Sequence, residues 1–294
     1  MPLDYDRLLA LDLPPVEQTY TARDTMLYAL GLGFGHDPMD EAQLPFIYEK
    51  NLRALPTMAC VLGHSGSLMR TRLPDLDWVK VVHGEQSVRL HRPLPPAATV
   101  IGKSRIVDVI DKGAGKGAIL VTERVLADKA SGETLATLTH STFARGDGGF
   151  GGPRRESPPP HPVPARAPDI VCDIATRPEM ALIYRLSGDY NPLHAEPAFA
   201  KAAGFPRPIL HGLGTFGIAG RAILQSLCGY DPARLVAMQG RFSAPVFPGE
   251  TIRTEMWQEG SQEGPSVSFR CRVIARDVVA ITNGRAEIAM GVCP

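Results

Sequence analysis

The sequence predicts an α+β protein built twice over, each copy a helix, a loop, a second helical stretch and then an antiparallel meander. Three observations carry that prediction. Residues 146–168 contain five glycines and seven prolines, a composition that supplies few ladder donors and buries little apolar surface, so the segment reads as a linker between 1–145 and 169–294. Sliding one half over the other by 152 positions sets Arg89, Pro93, Pro96 and Thr99 on Arg241, Pro245, Pro248 and Thr251, and Pro56 on Pro208. Finally, β-branched and alternating runs follow one another in the same order in both halves, with connections too short for βαβ crossovers.

In chain order, the first copy opens a helix behind Thr21 with Asp24 three positions on, and the second behind Thr176 with Pro178 and Glu179. Both are S/T-x-x-acid starts, in which hydroxyl and carboxylate satisfy backbone donors at the helix end. Here the offset drifts to 155 or 156, pairing Tyr28-Ala-Leu with Tyr184-Arg-Leu, as one loop insertion would do. The second helical stretch of the second copy, 211–227, is rich in Gly and Ala. Such residues make a poor isolated helix but admit a close backbone, so a buried helix is expected. Four strands per copy follow, at 79–90, 100–109, 118–127 and 134–143, then at 235–242, 251–257, 266–275 and 278–289. Each sheet is expected to wrap its own helix.

Charge and composition remove several function classes. Lys and Arg number 31 and Asp and Glu number 31, so no net field draws the chain to nucleic acid or an anionic membrane. Cys60, Cys172, Cys228, Cys271 and Cys293 are odd in number, scattered and without a C-x-x-C pair, which argues against a disulfide framework or zinc ribbon and fits a reducing compartment. The start, Met-Pro-Leu-Asp-Tyr-Asp-Arg, has no basic region followed by an apolar run, and no long uncharged apolar stretch occurs. A cytoplasmic protein is expected.

The densest polar cluster is Ser187-Gly-Asp-Tyr-Asn-Pro-Leu-His194, followed further along the chain by His211-Gly-Leu-Gly-Thr. Asn191-Pro192 disfavours a continuous helix and favours a turn that converges Asp189 and His194 on one water. The alternative is that Asp189 and Asn191 only shape that turn. The same alignment sets Gly33 opposite Asp189 and Pro38 opposite His194, so one copy has lost both ionisable groups, as expected of a scaffold with one catalytic half. Gly212 to Gly217 spells G-x-G-x-x-G, but no full strand enters it and Asp231 sits in a Gly-Tyr-Asp-Pro turn, so a dinucleotide site is not expected. Gly113-Ala-Gly-Lys-Gly reads as a hairpin turn. Arg154-Arg155 reads as a solvated part of the linker. A metal site from His194, His211 and a cysteine lacks ligand spacing, so none is expected.

The string Tyr184-Arg-Leu-Ser-Gly-Asp-Tyr-Asn-Pro-Leu-His194, with Phe199-Ala200, Pro208-Ile-Leu-His-Gly212 and Arg241 to Gly249, resembles the MaoC-like, type 2 enoyl-CoA hydratases. Tyr28-Ala-Leu-Gly-Leu-Gly, His83-Gly-Glu-Gln86, Pro93-Leu-Pro95 and Asp111-Lys112-Gly113 extend the resemblance to the two-copy members. The resemblance implies a double hot-dog fold and a hydro-lyase acting on trans-2-enoyl-CoA in fatty-acid β-oxidation or a related pathway, giving a (3R)-3-hydroxyacyl product. It places the catalytic pair on Asp189 and His194, with Asn191 positioning them and the Gly212 N–H as oxyanion donor. Substrate contacts are implied at His83, Gly84 and Lys112, and at Tyr190, Pro192, Leu193 and Phe242. It implies no cofactor, an acyl-CoA partner, a homodimer, and a non-catalytic first half that binds acyl chain and CoA. Alternatives are a hydratase or dehydratase for a branched, hydroxylated or steroid side-chain thioester, a non-catalytic acyl-thioester binding module, and a thioesterase on the same scaffold.

Overall fold

One antiparallel sheet runs through both halves of the chain in the computed structural model, which describes residues 3–152, 159–261 and 264–289. Its strands are β1 (Val16–Tyr20), β2 (Val81–Leu90), β3 (Ala98–Asp111), β4 (Ala118–Asp128) and β5 (Thr134–Ala144) in the first half. The second half supplies β6 (Ile170–Ala175), β7 (Leu235–Phe242), β8 (Thr251–Ser261), β9 (Gly264–Val273) and β10 (Val278–Ile288). The spatial order is β1-β3-β4-β5-β2-β7-β10-β9-β8-β6. Read inward from either edge it is the same plan, first strand, third, fourth, fifth, second, so the duplication inferred from offsets is present in the topology. The halves meet where β2 pairs with β7, from Glu85 opposite Arg241 to Arg89 opposite Ala237.

The helices are α1 (Tyr5–Leu9), α2 (Ala22–Leu30), α3 (Leu44–Ile47), α4 (Gly66–Arg72), α5 (Met180–Tyr184), α6 (Pro197–Ala202) and α7 (Gly212–Leu227). α7 is the buried helix expected from its small residues, with a continuous buried run from Gly214 to Leu224. A Cβ added at Gly217 would meet Leu32 Cδ2 at 2.6 Å, and one at Gly220 would meet Thr57 Cγ2 at 2.8 Å. The glycines therefore let first-copy residues close over a helix that the second-copy sheet holds from the other side. One core unites the halves, including Tyr28, Leu32 and Val88 with Phe216, Ile218 and Phe269. Burying one such side chain contributes ~1.5–3 kcal/mol. One ion pair across the seam, Arg241 Nε donating to Glu85 Oε1 at 2.7 Å, is about half exposed and contributes ~0–1 kcal/mol. Ladder and core hold the seam.

Three expectations need correction. Each copy has five strands, not four: β1 and β6 are short edge strands whose partners, β3 and β8, lie far along the chain, and their pairing decides them. Thr176 does not cap a helix, because its hydroxyl donates to Glu250 O at 2.7 Å and accepts from Gly249 N–H at 2.9 Å, and α5 starts behind Glu179. Thr21 does hold its start, with N–H and Oγ both donating to Asp24. The first copy has no helix of α7's length; a 3₁₀ turn, Pro56–Val61, and the seven-residue α4 occupy that stretch. The linker is fastened on both sides: Gly149 and Gly151 N–H donate to Asp111 at 2.7 and 3.0 Å. On the second half, Asn283 Nδ2 donates to His161 O at 2.8 Å and Trp257 Nε1 to Arg166 O at 2.8 Å.

Gly113, Gly115 and Gly117 take positive φ in the β3–β4 hairpin, as the turn reading requires. Cys60, Cys172, Cys228 and Cys271 are buried free thiols. Arg154-Arg155, Cys293 and the final residues lie outside the described residues. Among the described residues, no helix is long and apolar enough to cross a membrane.

Candidate active site

The loop after α5 builds the site from its own turn chemistry. Asn191 is extended, φ −56° and ψ 124°, as the residue before Pro192 must be, and its side chain caps the 3₁₀ turn Pro192–His194 by accepting from Leu193 N–H at 3.1 Å. Its own N–H donates to Asp189 Oδ1 at 3.2 Å. Asn191 thus orients both flanking residues, and the turn aims His194 inward while leaving Asp189 exposed.

His194 Nδ1 lies 2.8 Å from Ile209 O, which fixes the neutral tautomer with the proton on Nδ1 and the lone pair on Nε2. That Nε2 is 4.0 Å from Asp189 Oδ2, too far for a direct hydrogen bond and close enough for both atoms to hold the same water. Burial lowers the His194 pKa; the Ile209 carbonyl and Asp189 oppose that only in part. The imidazole is therefore neutral at pH 7 and able to accept a proton.

His211, the residue before α7, stacks on His194 with ring centroids 3.6 Å apart and lies 3.2 Å from Asp189 O through Nε2. Its Nδ1 is buried without a partner. Burial, followed by the adjacent His194, holds its pKa down to about 4. In the sequence His211 stands out as the start of a glycine motif and as a discounted metal ligand, because its spacing from His194 does not reveal which rings meet. Asp189, His194 and His211 each bring one ligand atom within 4.8 Å of the others, a spacing that suits a cation. The stacked imidazoles, however, point side by side, and the His211 Nε2 proton is directed at a carbonyl, so the geometry favours water between Asp189 and His194.

Gly212 opens α7, and its N–H is one of the unpaired donors at the positive end of a 16-residue helix. The atoms nearest an added Cβ there belong to the Phe242 ring, at 3.5 to 3.7 Å, and glycine sets no side chain of its own beside that donor. Phe242 touches His83, centroids 4.8 Å apart, and His83 touches His140 at 5.6 Å. Gly84 forms a bulge in β2 where a Cβ would meet Ser141 Oγ at 2.7 Å. These residues join the second-copy site to the inner face of the first copy. Pro192 and Leu193 lie half-buried in the 3₁₀ turn, and Tyr190 is exposed beneath the Arg185 guanidinium. Lys112 is exposed in the β3–β4 hairpin, outside the ring-to-ring chain that links the others.

At the matched first-copy position, Gly33 has φ +81°, and an added Cβ would meet Arg221 Nη1 at 2.9 Å. Arg221 donates to Leu32 O at 3.0 Å and stacks on Phe34. A second-copy arginine thus occupies the place matched to the acid. The G-x-G-x-x-G string lies within α7, and Asp231 caps the turn Pro232–Arg234, so the dinucleotide reading stays discarded.

Comparison with known proteins matches residues 161–278 to a family described as MaoC like domain and residues 18–146 to MFE-2 hydratase 2 N-terminal domain. Peroxisomal enoyl-CoA hydratase 2 of Arabidopsis thaliana is 43% identical over 271 residues, 87% of each chain. Enoyl-CoA hydratase ChsH3 of Mycobacterium tuberculosis is 39% identical over 99% of this chain and 98% of its own. The crystal structure of a MaoC-like dehydratase from Phytophthora capsici superposes with a TM-score of 0.84 at 36% identity, covering 98% of this chain and 99% of that one.

Proposed function

We propose a function on the premise that this chain belongs to the MaoC-like family in its two-copy, hydratase 2 form. It is a hydro-lyase that adds water reversibly across the double bond of a trans-2-enoyl-CoA in fatty-acid β-oxidation or a related pathway. The observation that carries this reading is the 4.0 Å gap between His194 Nε2 and Asp189 Oδ2, beside the helix end opened by Gly212.

Water held in that gap loses one proton to the pair as its oxygen bonds C3. Electron density moves onto the thioester oxygen, where the Gly212 N–H stabilises it; such a donor contributes ~3–4 kcal/mol to the transition state. The proton then reaches C2 from the same face, giving syn addition and a (3R)-3-hydroxyacyl thioester. Asn191 positions both groups through the 3.1 and 3.2 Å bonds that shape the turn. The thioester already polarises the double bond, so the reading calls for no metal or redox cofactor. His83, Gly84 and Phe242 line the acyl side, Tyr190, Pro192 and Leu193 lie on the catalytic loop, and Lys112 meets CoA phosphate. The first half, 1–145, is the non-catalytic acyl and CoA binding half, 146–168 the linker, and 169–294 the catalytic half. The protein acts in the cytoplasm as a homodimer, which light scattering coupled to size exclusion tests directly.

The test of the reaction follows the ultraviolet absorbance of trans-2-enoyl-CoAs of short, medium and long chain, with chiral analysis of the product. Loss of absorbance with a 3R product is expected. A folded protein that binds these thioesters without turnover defeats the reading in favour of a binding module.

A further inference from the structure

The inner face of the first-copy sheet is polar where a core is expected. Register places Thr122 on β4 opposite His140 on β5, His140 opposite Gln86 on β2, and Gln86 opposite Gly240 on β7. A Cβ at Gly240 would approach the Ile281 and Phe216 side chains, so this cross-strand row ends against α7, one turn from Gly212. Arg124, two positions beyond Thr122 on the same face, is 4% exposed. Its Nη2 donates to Ala59 O and Cys60 O, and its Nε has no partner. No carboxylate pairs with it among the described residues. Thr122 Oγ1 is likewise buried and unpartnered.

Two histidines complete this row. His140 makes no protein hydrogen bond among the described residues, and His64 sits with its ring 6.1 Å away. The His64 Nδ1 accepts from Gly66 N–H at 2.9 Å, which leaves Nε2–H as a donor. His64 is accessible to solvent, yet burial still holds its pKa to about 4. His83 connects this row to the candidate site, its ring 5.6 Å from His140 and 4.8 Å from Phe242, which lies beside Gly212.

We propose that Thr122, Arg124, His140 and His64 form a subsite for a hydrogen-bond-accepting oxygen on the acyl chain, so that the preferred substrate is an oxygenated enoyl thioester. The physical ground is cost. A guanidinium held in the interior without a counter-ion costs several kcal/mol, and each buried unsatisfied donor costs ~1–3 kcal/mol. A plain alkyl tail leaves both penalties standing, whereas a hydroxyl, keto or carboxylate oxygen relieves them. The inference rests on the hydratase reading and narrows its substrate.

The test compares medium-chain trans-2-enoyl-CoA with the same chain carrying a hydroxyl, a keto group or a carboxylate at successive positions beyond the double bond. The full-length protein is expected to prefer at least one oxygenated chain by about tenfold in kcat/KM. His140→Leu and Thr122→Val are each expected to collapse that ratio toward one. A carboxylate as best substrate assigns the subsite to the Arg124 charge; a hydroxyl or keto group assigns it to the neutral donors. Equal or better turnover of every plain chain, with hydration intact, overturns the subsite alone. Should no thioester turn over, the hydratase reading falls, and calorimetry with saturated plain and oxygenated acyl-CoAs decides the subsite, equal affinities overturning it.

Discussion

The two copies share a strand plan and differ in what their sheets enclose. In the second, Val267, Phe269, Cys271 and Ile281 pack as one core with α7. In the first, Thr122, Arg124 and His140 face a stretch where a 3₁₀ turn and the short α4 replace the long helix. The loop after α5 divides the copies the same way: Asp189 and His194 stand in one, Gly33 and Pro38 in the other. Once two copies are joined, one can keep helix and catalytic pair while the other gives up both and gains room. Neither loss is tolerable in a single copy that must supply its own site and its own core.

The largest effect that sharpens this contrast is loss of the pair itself. Asp189→Asn and His194→Gln are each expected to lower kcat/KM by roughly 10²–10⁴-fold with little change in melting temperature; substantial unfolding instead makes the motif a turn and no more. Gly212→Pro removes one N–H at the first helical position, where proline is tolerated, and is expected to cost roughly 10²–10³-fold in kcat with helical circular dichroism retained.

Titration comes next. In the proposed mechanism neutral His194 accepts the proton, and burial lowers its pKa, so the acid limb of the kcat/KM profile is expected below the ordinary imidazole pKa of about 6.5. For stability the sign is the same. His64, His83 and His211 titrate at about 4 when folded, so below about pH 6.5 the unfolded chain binds more protons. Stability is then complete above that pH and falls as pH drops toward 4, which thermal melts across that window check.

Gly33→Asp, which rewrites the acid into the first copy, is expected to destabilise by ~1–3 kcal/mol through its positive φ and Arg221, and to add no turnover. Smallest of all, exhaustive chelation is expected to leave hydration unchanged, and a loss restored by a divalent cation assigns a metal to Asp189, His194 and His211.

The main elements were legible because their signals are local. α7 followed from its small and apolar residues, the eight meander strands from β-branched runs, and the Asp189–His194 turn from Asn191-Pro192. What was not legible depends on partners far away in sequence. The Thr176 hydroxyl is claimed by the carbonyl of Glu250, in the other arm of the second copy, and β1 is decided by its ladder to β3. The polar row escaped for a different reason: alternation tells which residues of β4 share a face, but not which face turns inward, so nothing local marks Thr122 and Arg124 as buried.

The seam between β2 and β7 also sets a timetable. A ribosome completes β2 at Leu90 and does not begin β7 until Leu235, so at ~5–20 residues per second the nascent first half waits on the order of ten seconds with that edge unpaired. During that interval the exposed ladder can recruit a strand from another chain. The charges on β2 at Glu85 and Arg89, each paired only once the second half arrives, discourage such premature partners, so these surface ion pairs, weak as stabilisers, act as guards during synthesis.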